Sequence, residues 1–392
     1  MLEILVDTKH NQIGLVENGN LIEYYENTNQ LERKEGNIYI GILEDIVKGM
    51  QAAFVDIGTE KNSFIHLKDL LPKEDEKKGK KKETYNIVDI AKPNQKVLVQ
   101  VKKDSNNQKG ARVSTHINLP GKYIALMPNT DIITVSQKIE NKKEQERLIK
   151  LVKDNISKGN GAVIRTSAEG KNDEIIEDIK MLEKQWKKIE GEFKKDKENK
   201  PKLIEKAYGI VEKMILDLPE NSINKIVLDD KKQYEKYLKI KEETSFLEKT
   251  KIDLEESKDV FDVYDVKKQI EKLSNRKIWL KCGGFITIDK TEALTAIDVN
   301  TGKYTGTKNM EQTVFRVNKE ATVEIAKQLR LRDIGGIIII DYIDMSNEES
   351  KEKIKQLLLD ELKKDRTKTQ VEGFTKLDLM EMTRKHICSH KE

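Results

Sequence analysis

The sequence predicts an α/β protein of several domains, with a small β-barrel and a strand–helix–strand unit as its most distinct parts. At 392 residues the chain is long enough for more than one domain. Short strands separated by glycines follow one another from about residue 36, as is typical of a barrel such as the OB-fold. Apolar strands at 294–300 and 337–341 flank the amphipathic helix predicted over 310–333, which indicates a buried parallel pair.

The first 35 residues are expected to form part of a sheet rather than a domain. Residues 3–7 and 12–17 read as strands, and Asn18-Gly19 supplies the turn of a hairpin. Because this segment is too short to bury a core of its own, we expect it to pair with a later segment.

The predicted barrel carries two phenylalanines in a chain with only 5% aromatic residues. Its strands are expected at 38–43, 52–57, 63–67 and 96–101. Exposed on the barrel, Phe54 and Phe64 would stack on RNA bases, each contributing about 1–3 kcal/mol. The alternative is that they simply fill the barrel. Lys102, Lys103 and Lys109 follow in sequence and would contact phosphates. The charged, low-complexity segment 73–83 is predicted to be a flexible loop.

The middle of the chain alternates between charged amphipathic helices and short strands. Helices are predicted over 137–158 and 173–196, with a strand at 162–166 between them. A further helix is predicted over 202–217, and 224–238 reads as a strand that runs into a helix.

Arg165 and Thr166 end the strand between the two long helices and suggest a phosphate site. A guanidinium offers bidentate contacts to a phosphate, and a neighbouring hydroxyl adds a hydrogen bond. Ordinary surface residues also form such pairs, so the residues alone leave both interpretations open.

Asp298 and Asp341 each stand near the end of an apolar strand, one on either side of the predicted helix. If the strands are neighbours, the two carboxylates emerge at the same sheet edge and can share a divalent cation. Mg²⁺ prefers oxygen ligands and usually takes one or two protein carboxylates beside its waters, which suits phosphodiester chemistry. The alternative is that each acid caps a helix or pairs with a nearby cation.

Three polar residues near the aspartates have possible supporting roles. Asn300 lies two residues after Asp298, on the same strand face, and would orient its carboxylate. Asp344 is a potential further ligand, but a role as cap of the helix beginning near Asn347 is favoured. Asp289 is a potential third acid, for which a turn is favoured.

Composition limits where nucleic acid would bind and where the protein is found. The net charge is only +4 although 36% of residues are charged, so any RNA-binding surface must be local. Two cysteines fit a reducing cytoplasm, and the sequence has neither a signal peptide nor a membrane-spanning apolar run. We therefore expect a cytoplasmic protein without a membrane partner.

The blocks at 291–302 and 328–345 closely resemble the catalytic subdomain of the ribonuclease E/G family. The resemblance implies a DNase I-like α/β subdomain in which Asp298 and Asp341 hold Mg²⁺ and Asn300 supports the first aspartate. It also implies hydrolytic cleavage of single-stranded RNA that leaves a 5′-phosphate and a 3′-hydroxyl.

The resemblance extends over nearly the whole chain. Residues 36–41 and 52–58 resemble the family's OB-fold module, with Phe54, Phe64 and Lys109 at its RNA-contacting positions. Residues 163–167 resemble the family's sensor of an RNA 5′-monophosphate. Lys368 stands where an arginine is common, which implies the same charge without the bidentate fork.

The implied architecture is an OB-fold β-barrel inserted in an RNase H-like layer, with a 5′-end sensor and the catalytic subdomain. The expected boundaries are 1–35 and 211–273 for the RNase H-like layer, 36–118 for the OB-fold, 119–210 for the sensor and 274–392 for the catalytic subdomain.

The implied function is a magnesium-dependent endoribonuclease of RNA processing and decay, including rRNA maturation, stimulated by a 5′-monophosphate. The alternatives are a non-catalytic RNA-binding protein on the same scaffold and a nuclease acting on DNA. The family's two-cysteine zinc link is not found near Cys388, where only His386 and His390 stand close, so bound Zn²⁺ is not expected. A homodimer is left open.

Overall fold

The computed structural model describes residues 1–26, 34–71, 85–105, 109–243, 247–302 and 310–387. The charged segment 73–83 and the pair Cys388 and His390, on which predictions were made, lie outside these ranges. None of the helices in the described part of the chain is both long and apolar enough to cross a membrane.

The strands are numbered in chain order. They are β1 (Leu2–Asp7), β2 (Gln12–Glu17), β3 (Asn20–Tyr25), β4 (Ile38–Val47), β5 (Ala52–Asp56), β6 (Ser63–His66), β7 (Lys96–Lys103), β8 (Arg112–Ser114), β9 (Leu119–Pro120), β10 (Ile124–Pro128), β11 (Ile133–Val135), β12 (Asn160–Ile164), β13 (Lys202–Glu205), β14 (Ile223–Leu228), β15 (Lys251–Leu254), β16 (Lys277–Trp279), β17 (Phe285–Lys290), β18 (Leu294–Asn300), β19 (Gly336–Asp341), β20 (Thr369–Phe374) and β21 (Leu379–Arg384).

The α-helices are numbered in the same way. They are α1 (Leu67–Leu70), α2 (Ile87–Ile90), α3 (Lys142–Asn155), α4 (Asp173–Lys195), α5 (Ile210–Asp217), α6 (Lys231–Glu243), α7 (Val260–Val263), α8 (Lys267–Glu271), α9 (Met310–Leu331) and α10 (Glu348–Leu362), with 3₁₀ turns at Lys48–Met50, Thr166–Ala168 and Lys272–Ser274.

The chain divides into two compact units, one of which is built from both ends of the sequence. The first unit comprises Met1–Thr28 and Leu218–Glu392, and the second comprises Asn29–Asp217. In the first unit one sheet has the order β15-β14-β1-β2-β3, and β1 pairs with β14 in parallel. The prediction that the N-terminal segment pairs with a later strand is confirmed.

The second unit contains a closed five-stranded barrel. Its strands run in the order β4-β5-β6-β8-β7, and pairing of β7 with β4 closes it. Inward-facing aliphatic side chains, among them Leu43, Val55 and Val99, form its buried core. This is the OB-like barrel that the short glycine-separated strands predict.

The predicted helix over 202–217 is wrong in its first part. Residues Lys202–Glu205 form β13, which pairs antiparallel with β4 next to the barrel, and only Ile210–Asp217 is helical. The physical reason is tertiary: pairing satisfies hydrogen-bonding groups along β4 that would otherwise form an open edge.

The rest of the second unit is a four-stranded sheet, β11-β12-β10-β9, packed against α3 and α4. Both helices and the strand between them agree with the predicted pattern. Helix α3 begins at Lys142 rather than near 137, because the Asn141 side chain accepts hydrogen bonds from two backbone N–H groups of its first turn.

The first unit also holds a six-stranded mixed sheet with the order β16-β17-β18-β19-β21-β20. Strands β18 and β19 are parallel neighbours, with α9 as the connection between them. Alternate residues of β18, such as Ile297 and Val299, join the buried core formed with α9 and α10. The opposite face, called here the open face, carries the exposed side chains Asp298 and Asp341. The predicted strand–helix–strand unit is confirmed.

Candidate functional site

Asp298 and Asp341 lie side by side on the open face. They are direct partners in the parallel pairing of β18 with β19, and both side chains are exposed. Neighbouring strands lie about 4.8 Å apart, so the two carboxylates can reach one ion between them. The sheet places them together because the connection through α9 returns the chain beside the strand it left, in the same direction.

Asn300 supports the first aspartate directly. Its Nδ2 atom donates to Asp298 Oδ2 over 2.5 Å, which fixes one oxygen of the carboxylate and leaves the other for a ligand. The orienting role that the sequence predicts for Asn300 is matched by this contact, although its part in any reaction stays a prediction.

The loop that follows Asp341 is held by a buried amide that the sequence reasoning missed. Asn318 of α9 is fully buried, donates to Ile343 O over 2.8 Å and accepts from Ile343 N over 3.1 Å. Thr322, one turn further along, donates to the Tyr342 hydroxyl over 3.0 Å. A signal was available, since Asn318 and Thr322 lie on the apolar side of an amphipathic helix.

Two predicted roles of neighbouring acids are wrong. Asp344 does not cap the next helix: Asn347 does, by accepting from Glu349 N over 2.8 Å. Asp289 lies inside β17 rather than in a turn, and its carboxylate forms a two-contact ion pair with Arg276, one of them 2.6 Å long. Asp344 therefore remains available beside Asp341, whereas Asp289 is neutralised.

The negative charges of Asp298, Asp341 and Asp344 repel one another. Partial desolvation raises the pKa of Asp341 above its ordinary value although the side chain is exposed, and the negative charges of Asp298 and Asp344 raise it further. A divalent cation between them would relieve that repulsion. The donors offered are carboxylate oxygens, the ligands that Mg²⁺ prefers, and two carboxylates match its usual number. The residues present thus fit a magnesium ion.

The barrel carries the two predicted aromatic residues on adjacent strands. Phe54 and Phe64 are direct antiparallel partners, with ring centroids 5.9 Å apart at an interplanar angle of 69°. Both rings are half-buried, so neither fills the barrel core. Lys103, at the end of β7, and Lys109 are exposed. The four residues predicted to bind RNA thus all reach the surface of the barrel.

Two further residues on the same face of the barrel were not predicted. His66 packs edge-on against Phe64, with ring centroids 4.6 Å apart. Arg112 is the partner of both Phe64 and Lys103 in the strand pairing, and its guanidinium donates to Asp69 over 2.9 Å. His66 could have been suspected, because it follows Phe64 at the same-face spacing of a strand, whereas Arg112 meets Phe64 only through strand pairing.

Arg165 and Thr166 lie together at the end of β12, but the guanidinium already has protein partners. Arg165 Nη1 donates to Gly121 O over 2.7 Å, and Nη2 forms an ion pair with Asp217. Thr166 Oγ1 shares a hydrogen bond of 2.9 Å with Ser136 Oγ. The anchors fix the guanidinium in place, and a phosphate there would have to use its remaining N–H groups.

Lys368 lies in the other compact unit from Arg165. It immediately precedes β20, its side chain is exposed, and its backbone oxygen accepts from Lys385 N over 3.0 Å. Its assignment to the phosphate site therefore stays a prediction.

A second group of potential metal ligands lies at the end of β1, beside the N-terminus of α7. The ligand atoms of Asp7, His10 and Asp259 fall within 4.8 Å of one another. Asp7 accepts from both the backbone and the ring of His10, which raises the imidazole pKa, and Asp259 pairs with Lys267 over 3.1 Å. A cation there would have to displace the lysine, so the group is adequately explained as an ion-pair cluster.

Comparison with known proteins gives consistent results. The model of the "Ribonuclease E/G family" matches residues 118–387. The chain is 37% identical to ribonuclease G of Escherichia coli strain K12, with alignment over 98% of this chain and 79% of that protein. It is 38% identical to ribonuclease G of Salmonella typhimurium, with the same coverage. It is 35% identical to ribonuclease E of Nostoc sp., over 89% of this chain and 51% of that protein.

Proposed function

The chain belongs to the ribonuclease E/G family, and we propose that it is an endoribonuclease that cleaves single-stranded RNA at the Asp298–Asp341 pair. The observation that carries the proposal is the direct pairing of these two exposed acids, with Asn300 bound to the first. The reaction is hydrolysis of a phosphodiester, with a 5′-phosphate and a 3′-hydroxyl as products.

Asp298 and Asp341 hold Mg²⁺, which when bound supplies an activated water and offsets charge on the attacked phosphate. Asn300 restrains rotation of the Asp298 carboxylate through its hydrogen bond to one oxygen. Asn318 holds the loop after Asp341 in register through Ile343. Because the open face of the sheet is exposed at both acids, a flexible single strand can be laid across it without rearrangement of the backbone.

Phe54, Phe64, Lys103 and Lys109 guide the RNA strand over the barrel. The two rings offer faces to unpaired bases, and the lysines neutralise phosphates. Such contacts tolerate many sequences, so they contribute affinity more than choice of cleavage site.

Arg165 and Thr166, with Lys368, recognise a 5′-monophosphate at the end of the substrate. The ion pair with Asp217 partly offsets the charge of Arg165. Lys368 cannot donate two parallel hydrogen bonds to a phosphate as an arginine can. Both features favour modest stimulation by the 5′ end. The biological role proposed is RNA processing and decay, including rRNA maturation, in the cytoplasm.

The test is cleavage of one labelled RNA that carries a 5′-monophosphate, a 5′-triphosphate or a 5′-hydroxyl, with Mg²⁺ and with chelator. We expect cleavage only with Mg²⁺, fastest for the monophosphate. A matched DNA oligonucleotide should survive.

Asp298→Asn is the site variant, and Glu381→Gln is its control, since Glu381 is an exposed carboxylate on β21 on the same open face. Cleavage should be lost in the first and kept in the second. RNA binding by the wild-type protein without cleavage in Mg²⁺ would instead support the non-catalytic alternative.

A further inference from the structure

An aromatic pair stands on the open face beside the acidic pair, with Trp279 exposed and Phe285 half-buried, and it has no role in the proposed function. Trp279 on β16 and Phe285 on β17 are direct partners, with ring centroids 5.3 Å apart at 63°. We propose that this pair is a stacking platform for an unpaired RNA base next to the phosphodiester that is cut. The proposal rests on the proposed function of Asp298 and Asp341.

The strand register places the pair in line with the site. Trp279 pairs with Phe285, and Phe285 pairs with Asn300, so these three side chains form one row on the open face. A second row, two residues along each strand, runs through Lys277, Thr287, Asp298 and Asp341. Phe285 is thus one strand, about 5 Å, from the residue that orients Asp298, and Trp279 is about 10 Å away.

Trp279 is unusually exposed for its type. Its relative accessibility is 59%, whereas Trp186, the chain's other tryptophan, is 7% exposed inside the second unit. A large ring left in water contributes little to folding, because the apolar area it could bury stays hydrated. A ring that does not serve the core is therefore free to bind a ligand, and its position beside the acidic pair identifies that ligand as RNA.

Lys277 adds the charge that a nucleotide needs. Its ammonium lies 4.2 Å from the Trp279 ring centroid and 3.5 Å from that of Phe285, a cation–π arrangement that holds both rings in place. Lys277 also shares the row of Asp298, so its positive charge lies beside the path of the backbone toward the acids. The aromatic faces can stack on a base, and the adjacent ammonium can contact the phosphate of the same nucleotide.

The platform would also favour single-stranded substrates at the point of chemistry. A base in a duplex is already stacked and paired, and it must leave that arrangement before it can contact Trp279. A base in a single strand is free to stack. The barrel pair gives affinity along the strand, whereas this pair acts on one nucleotide beside the scissile bond.

The first experiment removes bases one at a time around a defined cleavage site by abasic substitution in a single-stranded RNA. With wild-type protein we expect one position at which the abasic substitution lowers kcat/KM by about 5- to 100-fold. Trp279→Ala should lower kcat/KM for the intact RNA by a similar factor. In this variant the abasic substitution at that position should lower kcat/KM no further. Trp279→Phe should restore most of the rate and the sensitivity.

Val323→Ala is the matched control, because Val323 is a partly exposed apolar residue on α9, which covers the other face of the same sheet. It should behave as wild type. If Trp279→Ala cleaves every substrate as wild type does, the proposal is overturned. That outcome leaves the wild-type cleavage intact, so it is distinct from failure of the proposed function, in which the wild-type protein would cut nothing.

The second experiment observes binding without cleavage, in the Asp298→Asn background. Stacking of a base should quench the Trp279 emission as the same RNA is added, and the change should vanish in the Asp298→Asn, Trp279→Phe double variant, in which Trp186 alone emits. Emission that is unchanged by saturating RNA would contradict the proposal. Quenching that increases with protein concentration in the absence of RNA would also contradict the proposal, because it would show that a second copy of the chain occupies the platform.

Discussion

The barrel and the six-stranded sheet each present an aromatic pair on adjacent antiparallel strands, and the two pairs have almost the same geometry. Ring centroids are 5.9 Å apart for Phe54 and Phe64 and 5.3 Å apart for Trp279 and Phe285, both edge to face. Their surroundings differ. The barrel pair is flanked by His66 and Arg112, whereas the sheet pair is flanked by Lys277 and by the row that holds the acids.

We infer that position on the sheet, rather than ring geometry, determines the role of each pair. Aromatic pairs alone can hold bases anywhere along a strand of RNA. Only the pair whose register leads to Asn300 and Asp298 can affect the chemical step. We therefore propose that the barrel supplies affinity for RNA and that the open face sets the rate at the cut site.

The largest expected effect comes from Asp298→Asn or Asp341→Asn. Loss of a carboxylate that is proposed to hold the metal should lower kcat by about 10³-fold or more, since metal-assisted charge stabilisation is worth several kcal/mol. RNA binding should change little if the barrel supplies the affinity. The measurement is single-turnover cleavage beside filter binding. A large loss of affinity in either variant would break the separation between the two regions.

The next effect concerns stability of the unit that carries the sheet pair. Arg384 on β21 is 1% exposed and pairs with Asp333 over 2.9 Å and Asp365 over 2.7 Å, both also buried. Arg384→Met leaves these acids without their cation, and we expect a loss of about 3–5 kcal/mol in the free energy of unfolding. Urea denaturation followed by circular dichroism reports it.

Lys364→Met is the control for Arg384→Met, because the Lys364–Glu361 pair is at the surface, where such pairs are worth about 0–1 kcal/mol. Equal destabilisation by the two variants would show that the buried network does not support the sheet.

A smaller effect tests the barrel side of the comparison. Phe64→Ala should weaken RNA binding by about 1–3 kcal/mol, with similar losses for RNAs of different sequence. Phe64→Tyr keeps an aromatic face and should bind nearly as wild type. Equilibrium titration at fixed salt gives both values. An abasic profile at the cut site that changes in Phe64→Ala would contradict the division of labour, since that profile is assigned to Trp279.

Much of this site could be predicted from the sequence because it depends on strand order. An apolar strand, a helix of 3.6-residue period and a second apolar strand have few ways to pack, so Asp298 and Asp341 were expected to meet. The hairpin of β17 with β18 was also predicted, whereas the pairing of Trp279 with Phe285 was not, because the register of β16 on β17 is set by the turn between them and by side-chain packing. Likewise β13 reads as helix until its partner β4 is known.

The ion pair of Arg165 with Asp217 was equally hidden, because the two residues are far apart in sequence and meet only through packing of α5. This ion pair affects the proposed recognition of the 5′ end of the substrate by Arg165. Since the Asp217 carboxylate already occupies part of the Arg165 guanidinium, an added donor at Lys368, the other predicted member of the sensor, should improve binding of the phosphate.

The smallest expected effect is a gain in stimulation of cleavage by the 5′-monophosphate. Lys368→Arg restores a planar fork while the charge is unchanged, and one added hydrogen bond to the phosphate is worth about 0.5–1.5 kcal/mol. The ratio of cleavage rates for 5′-monophosphate and 5′-hydroxyl RNA should rise by about 2- to 10-fold. Lys376→Arg, a change of the same kind in the turn between β20 and β21, is the control and should leave the ratio unchanged. If Lys368→Arg raises the rates of both RNAs equally, Lys368 contacts the RNA backbone in general rather than its 5′ end.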